Sequence, residues 1–332
     1  MKIADLINKY GEIYTPYMSG LVNHLPMVQL ALYKMTDDMD YVEKYTEDYL
    51  VKSRMDSINE NHEVIGSIEE CLGKREMYEA CLDKIRSKSK EQNLDDLIGY
   101  ILNRYPLGMS SALFHTTIRL AYGVEGMDID SDLEAEVERA LAFYITAYRE
   151  GDVFSRAISK EEVVPEMHRL LENEEINRIR KSDSGLGQKI KDLYNLEGYK
   201  NLGFIIKGTE SEKVKGLFEI LIPAYRNGKS IRVLHCMTGL QALVVLKRYF
   251  DNYEEVLDIM TTLIITHLLT EDGLDIKNSD KRAVLKTWEE IFQKGSKSMD
   301  VHTVKLAYTC EKMDRLFHIS ELRYMAAKVV GY

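Results

Sequence analysis

Four of the eight histidines, His24, His115, His235 and His267, each sit alone in a long stretch without Asp, Glu, Lys or Arg: residues 13–33, 105–118, 233–246 and 259–270. A stretch without charge is a candidate for a fully buried helical core, and a buried imidazole needs partners for both ring nitrogens. One such histidine alone reads as a neutral core residue bonded to a carbonyl or hydroxyl. Four together open a second chemistry, because a metal ion gathers several imidazoles in an apolar interior and satisfies all their lone pairs at once. His302 adds Lys305 three residues on, and so on the same helical face. By itself that lysine reads as one whose stem covers an amphipathic helix. The face of His235 also carries Thr238, Gly239 and Ala242, small residues that admit another helix or a ligand. His115 shares a face with Ala112, Ile118, Arg119 and Tyr122, and His24 with Met27, Val28 and Ala31. His62, His168 and His318 lie in polar surroundings and read as surface or structural residues.

The elements that must position these groups are helical. Apolar residues recur at three- and four-residue spacing almost throughout, and strict alternation is scarce. The expected class is all-α, a multi-helix bundle of antiparallel helix pairs around a buried central site. Helical patterns run over 27–35, 133–148, 217–225, 233–249, 253–269, 283–292 and 301–316. Thr209 or Ser211, Ser279 or Asp280, and Asp300 supply side chains of the kind that cap helix starts. Residues 155–188 are rich in Glu, Lys, Arg and Ser, and are read as a polar insertion or lid within a single domain spanning 1–332. Gly185-Leu-Gly187 lacks a third glycine and a preceding β run, so it reads as a loop, and no flavin or dinucleotide cradle is found.

Composition removes other classes. Lysine plus arginine number 44 against 54 acids in 332 residues, a net charge of −10, which argues against nucleic acid or an anionic membrane surface as partner. No apolar run approaches the ~20 residues a bilayer demands. Cys71, Cys81, Cys236 and Cys310 form no CxxC pair and no secreted framework, and no signal-peptide pattern opens the sequence, so a cytoplasmic location is expected. A homodimer is compatible with this length, although no exposed apolar heptad run marks an interface.

Five patches resemble the questin oxidase-like family, known from fungal aromatic-polyketide pathways and from uncharacterised bacterial proteins. They are Leu21-Val-Asn-His-Leu-Pro-Met27; Phe114-His-Thr-Thr-Ile-Arg-Leu-Ala-Tyr-Gly123 with Glu125 following; the Ala- and aromatic-rich segment 136–148; Leu234-His-Cys-Met-Thr-Gly-Leu-Gln-Ala-Leu243; and Asp300-Val-His-Thr-Val-Lys-Leu306. They span nearly the whole chain in order, whereas 155–188 has no counterpart. The resemblance implies a mostly helical oxygenase that inserts oxygen into, and cleaves, a ring of a polycyclic aromatic or quinone-like small molecule. Members are described as Baeyer–Villiger-type enzymes using a nicotinamide reductant, and also as non-haem iron dioxygenases. In the iron description four histidines and a carboxylated lysine hold the metal. Carried onto this chain, these are His24, His115, His235, His302 and Lys305, with Arg119 and Glu125 as further catalytic or ligand-orienting groups. The alternative for that last pair is an ion pair between helices.

The implied constellation is chemically coherent. A lysine desolvated in a core has a lowered pKa and can take up carbon dioxide to become an anionic carbamate. Four imidazoles and one such oxygen make five donors and leave one octahedral position for dioxygen or substrate; imidazole suits iron and zinc alike. Fe(II) is the expected metal, with dioxygen as co-substrate and NADPH as an external reductant if one is needed. His267 has no counterpart in the family and is read as a core residue or one that supports a ligand. Tyr122 and Tyr308 are candidates for a pocket wall. Two other readings stay open: a non-catalytic helical protein binding an aromatic metabolite or a partner, and a zinc-dependent hydrolase.

Overall fold

A computed structural model describes the protein over residues 1–151, 159–277 and 286–332. Sixteen α-helices run through the described residues: α1 (Ile3–Gly11), α2 (Leu25–Thr36), α3 (Met39–Lys52), α4 (Tyr78–Glu91), α5 (Leu94–Arg104), α6 (His115–Met127), α7 (Glu134–Thr146), α8 (Val163–Glu172), α9 (Glu174–Lys181), α10 (Leu186–Asn195), α11 (Glu210–Gly228), α12 (Ile231–Val245), α13 (Tyr253–Leu268), α14 (Trp288–Gly295), α15 (Val301–Phe317) and α16 (Glu321–Val329). Two small sheets accompany them, antiparallel β1 (Tyr17–Met18) with β2 (Leu21–Val22), and parallel β3 (Ser159–Glu162) with β4 (Leu202–Ile205). The chain is therefore all-α, as the helical spacing predicts. No helix among the described residues is long and apolar enough to cross a membrane.

Local chemistry explains where the helices begin. Thr209 accepts from the Glu212 amide while the Glu212 side chain returns to Thr209, a reciprocal cap that opens α11. Asp300 accepts from the amides of His302 and Thr303 and opens α15. Helix α14 starts at Trp288 behind a Thr287–Glu290 capping box. The start expected at Ser279 or Asp280, residues 283–285 of the 283–292 pattern, and residues 155–158 of the insertion lie outside the described residues.

The charge-free stretches divide into two kinds. Residues 233–246 and 259–270 are buried helix, in α12 and α13, apolar around most of their circumference because protein surrounds them. Residues 13–33 are not one helix: Pro16 and Gly20 break the run, β1 and β2 form a hairpin, and Leu21 is 68% exposed. Residues 105–118 are likewise broken. A 3₁₀ turn at Pro106–Gly108 is followed by Ala112, Leu113 and Phe114 with φ of 49°, 55° and 64°, and α6 starts only at His115. The face assigned to His115 with Ala112 is thus corrected, whereas His24, at the N-cap of α2 with helical dihedrals, keeps its place in line with Met27 and Val28, whose amide donates to His24 O at 3.0 Å. Absence of charge reports burial and leaves backbone path open.

The insertion is partly helical, α8 to α10, but β3 pairs along its length with β4, in register from Ser159 with Leu202 to Glu162 with Ile205. β4 is in turn tied to α13, where the Phe204 amide donates to Thr262 Oγ1 at 2.8 Å. Gly185 is the N-cap of α10, so Gly187 lies in a helix and the loop reading is corrected there.

The centre of the bundle is a closed ring of four helices. α2 packs on α6, α6 on α12, α12 on α15, and α15 back on α2. Gly239 of α12 allows a close approach: a Cβ there would lie 2.8 Å from ring carbons of Phe114. That contact helps hold three successive non-glycine residues in the left-handed region, a conformation costing roughly 1–2 kcal/mol each.

Candidate metal centre

Each helix of the ring brings one histidine at or near its N-terminus. His24 caps α2, His115 is the first residue of α6, His235 lies at the end of the first turn of α12, and His302 is the second residue of α15. The ring centroids of His24 and His115 are 4.6 Å apart, His115 and His235 4.3 Å, His235 and His302 5.2 Å, and His24 and His302 5.1 Å. Ligand atoms of His24, His235 and His302 lie within 4.8 Å of one another. Imidazole–zinc bonds of ~2.0–2.1 Å put two ligands of one ion at most about 4.2 Å apart, and His115, outside this group of three, adjoins it through His24 Nε2 at 2.8 Å.

The tautomers follow from the partners. His24 Nδ1 is 2.7 Å from Val22 O, His115 Nδ1 2.6 Å from Ala112 O, and His235 Nδ1 2.7 Å from Ile231 O. A carbonyl only accepts, so each Nδ1 carries the proton. His302 Nδ1 faces Asp300 Oδ1 at 3.2 Å, again an acceptor. All four Nε2 lone pairs are thereby left for another partner, the arrangement in which histidines ligate metals. Two observations leave a place for such a partner. His24 Nε2 and His115 Nε2 stand 2.8 Å apart with no proton between them to donate, and His235 Nε2 is buried without a hydrogen-bond partner. A cation satisfies both conditions.

Burial, the positive charge of Lys305 and the neighbouring imidazoles hold His24, His115 and His235 well below the ordinary histidine range, so at neutral pH they carry the lone pairs a metal requires. Lys305 itself is completely buried, and its Nζ has no hydrogen-bond partner among the described residues. It is not a lysine reaching for solvent. Burial pushes its amine down to about 7, against a smaller opposing pull from Asp300. An amine in that state is nucleophilic toward carbon dioxide near neutral pH.

Asp300 is the functional residue that sequence reading took only for a helix cap. One carboxylate caps α15 through Oδ1 and Oδ2 and also accepts from His302 Nδ1. Replacing Asp300 with Asn leaves a good cap but removes the charge behind His302. Metal affinity is expected to fall by about 10–100-fold with the melting temperature of the metal-free chain nearly unchanged, as read by chelator competition and thermal melts.

Arg119 and Glu125 face elsewhere. Arg119 donates to both oxygens of Glu136, at 2.7 and 3.1 Å, and Arg139 Nε donates to the same carboxylate at 2.9 Å. Glu125 accepts from Tyr308 at 2.9 Å, is paired with Lys312, and lies 3.6 Å from Lys34. Neither lines the cavity at the histidines, and the two are not paired with each other. Tyr122 and Tyr308 also lie off that wall, packed ring to ring at 5.7 Å. His267 bonds Leu263 O at 2.8 Å, and its ring lies 4.8 Å from Phe114, so it braces the turn that presents His115. His62 pairs with Asp83, and His168 and His318 border a separate cavity of about 430 Å³ beside Pro223.

The four histidines open on a cavity of about 640 Å³ whose walls are mostly apolar, including Leu21, Val22, Leu113, Ile231 and Val301, with Tyr17 and Tyr49. That volume and polarity suit one small organic molecule. No family model matches this chain, and no curated protein matches it.

Proposed function

We propose that this protein is a metal-dependent oxygenase, with non-haem iron as its metal, acting on a flat polycyclic aromatic or hydroquinone-like substrate held in the 640 Å³ cavity. The observation that carries the reading is the grouping of His24, His235 and His302 within 4.8 Å of one another, with His115 Nε2 2.8 Å from His24 Nε2, beside a buried unpartnered lysine. The resemblance to questin oxidase-like proteins supplies the reaction class.

The donors fit the group. His24, His115, His235 and His302 would hold the ion, and Lys305 would add the anionic oxygen once its neutral amine attacks carbon dioxide. That step forms one N–C bond, breaks one C–O π bond and releases one proton. The bound ion supplies activation of dioxygen beside the substrate. The chain does the rest. Val22, Ala112 and Ile231 carbonyls and the Asp300 carboxylate hold the imidazoles in one tautomer. The apolar wall of Leu21, Leu113 and Val301 orients a flat ring and excludes water from the reacting face.

Elemental mass spectrometry of freshly purified protein, followed by oxygen-electrode traces with a panel of polycyclic hydroquinones, tests this. Near-stoichiometric iron and hydroquinone-dependent oxygen uptake are expected. Stoichiometric zinc with ester or lactone hydrolysis would replace the oxygenase by a hydrolase on the same ligands. Failure to take up any metal on anaerobic reconstitution would leave a non-catalytic binding protein.

A further inference from the structure

The charge of the cavity wall is lopsided. In a protein of net charge −10, the residues lining the cavity include Arg75 and Arg149 but no Asp, Glu or Lys. Neither guanidinium is ion-paired with a carboxylate among the described residues. Four helix N-termini, those of α2, α6, α12 and α15, also converge at the histidines, and each presents the positive end of a helix dipole. The opposing charge named here, the Asp300 carboxylate behind His302, is spent on that imidazole and on the cap of α15.

Both arginines are exposed residues on the rim of the cavity, linked through the turn at Gly73. Arg75 lies in the 3₁₀ turn Arg75–Met77, its guanidinium 4.2 Å from the ring centroid of Tyr17. Tyr17 is held edge-on by Phe143, and its hydroxyl is 2.8 Å from Thr146 Oγ1. Arg149 follows α7 and uses a single nitrogen, Nη1, to bond two carbonyls, Gly73 O at 2.9 Å and Tyr148 O at 2.7 Å. Gly73 has φ of +72°, and a Cβ on it would lie 2.9 Å from that nitrogen, so the turn carrying Arg75 and the side chain of Arg149 need each other's geometry. The remaining N–H groups of Arg149, its Nε and Nη2, make no hydrogen bond among the described residues. Two planar cations with spare donors beside an apolar slot match a carboxylate or an acidic phenolate on an aromatic ring.

We infer that the substrate is an anionic aromatic, a flat ring system bearing a carboxylate or acidic phenolate, and that Arg75 and Arg149 select it. This deepens the proposed function by taking the cavity as the substrate's place, but it makes a separate claim about charge. An anion also offsets the positive helix ends and the metal, which an uncharged ligand does not.

The test compares anthraquinone-2-carboxylate with uncharged 2-methylanthraquinone, two ligands of similar shape, on the full-length protein. Binding is read by fluorescence quenching in chelator-treated protein, so that a carboxylate–metal bond cannot supply the preference. The carboxylate is expected to bind at least about tenfold more tightly, with a preference that shrinks as salt rises. Arg75→Gln and Arg149→Gln are each expected to lose most of that preference, and the double variant all of it, with the affinity for 2-methylanthraquinone little changed. Arg75→Gln is the decisive variant should Arg149→Gln disturb the Gly73 turn. Equal binding of the two ligands by the unaltered protein, no binding of either, or a preference that survives in both variants would overturn the inference. Oxygen uptake is scored separately: its absence removes the oxygenase reading and leaves the charge preference to stand or fall alone.

Discussion

Replacing Lys305 with Met is expected to make the metal-free protein more stable and, in the same variant, to abolish tight metal binding. Lys305 is fully buried, and its Nζ has no partner among the described residues. A buried unpaired ammonium is costly, and apolar replacement of buried ionic groups stabilises by about 1–4 kcal/mol in well-packed sites. Methionine keeps the unbranched shape of the stem and removes the amine. The pH dependence gives the sign. Burial lowers the amine from 10.5 to about 7 in the folded chain. Between those values the unfolded chain binds more protons than the folded one, so stability of the metal-free protein rises with pH across that window. Below about 7 the full penalty is present. Lys305→Met has no such slope. Urea unfolding at several pH values, in chelator, reads both effects. With metal added the order reverses, because only the unaltered chain gains the binding energy of the ion. A Lys305→Met protein that binds metal as tightly as before would remove Lys305 from the ligand set. One that is less stable without metal would show that the amine is satisfied in the fold.

His235→Ala is expected to lower metal affinity by more than about a hundredfold, beyond the range for groups that only orient ligands. Its Nε2 is buried without a partner, and its Nδ1 is spent on Ile231 O at 2.7 Å. The ring does nothing else that the structure shows, so the helical circular dichroism should survive. His267→Ala is the matched control. That histidine has the same Nδ1-to-carbonyl bond, to Leu263 O, but its ring leans on Phe114 and, among the described residues, packs against none of His24, His115, His235 or His302. It should keep its metal and lose stability, through the cavity left behind Phe114. Chelator competition and thermal melts on the two variants, measured side by side, separate ligation from packing. Equal metal affinity in His235→Ala and the unaltered protein would break the candidate centre at its best-defined member.

Much of the helical architecture was legible because helical periodicity is local. Apolar residues three and four apart declare a buried face whatever the rest of the chain does, and α12, α13 and α15 follow their patterns closely. The caps at Thr209 and Asp300 were readable for the same reason, since a cap needs only the next three residues. The shared face of His302 and Lys305 follows from their spacing. Family resemblance, and no feature of spacing, grouped these two with His24, His115 and His235.

What tertiary structure decided is non-local. Four histidines separated by up to 278 positions, from His24 to His302, meet because α2, α6, α12 and α15 close into a ring with their N-termini together. No window of sequence contains that ring. Presentation of His115 depends on three left-handed residues, Ala112, Leu113 and Phe114, whose local preferences oppose the conformation and which are held by Gly239 and His267 from other helices. The partner of Arg119 is Glu136 on α7, and Arg75 and Arg149 line one cavity because the turn at Gly73 docks against the residues that follow that helix. Sequence by itself determined the all-α class, helices such as α12, α13 and α15 with their buried faces, and the residue types able to bind a metal. Only packing decided which of those residues share one cavity, because helix-to-helix distances are set by the side chains of both partners together and are written in neither segment alone.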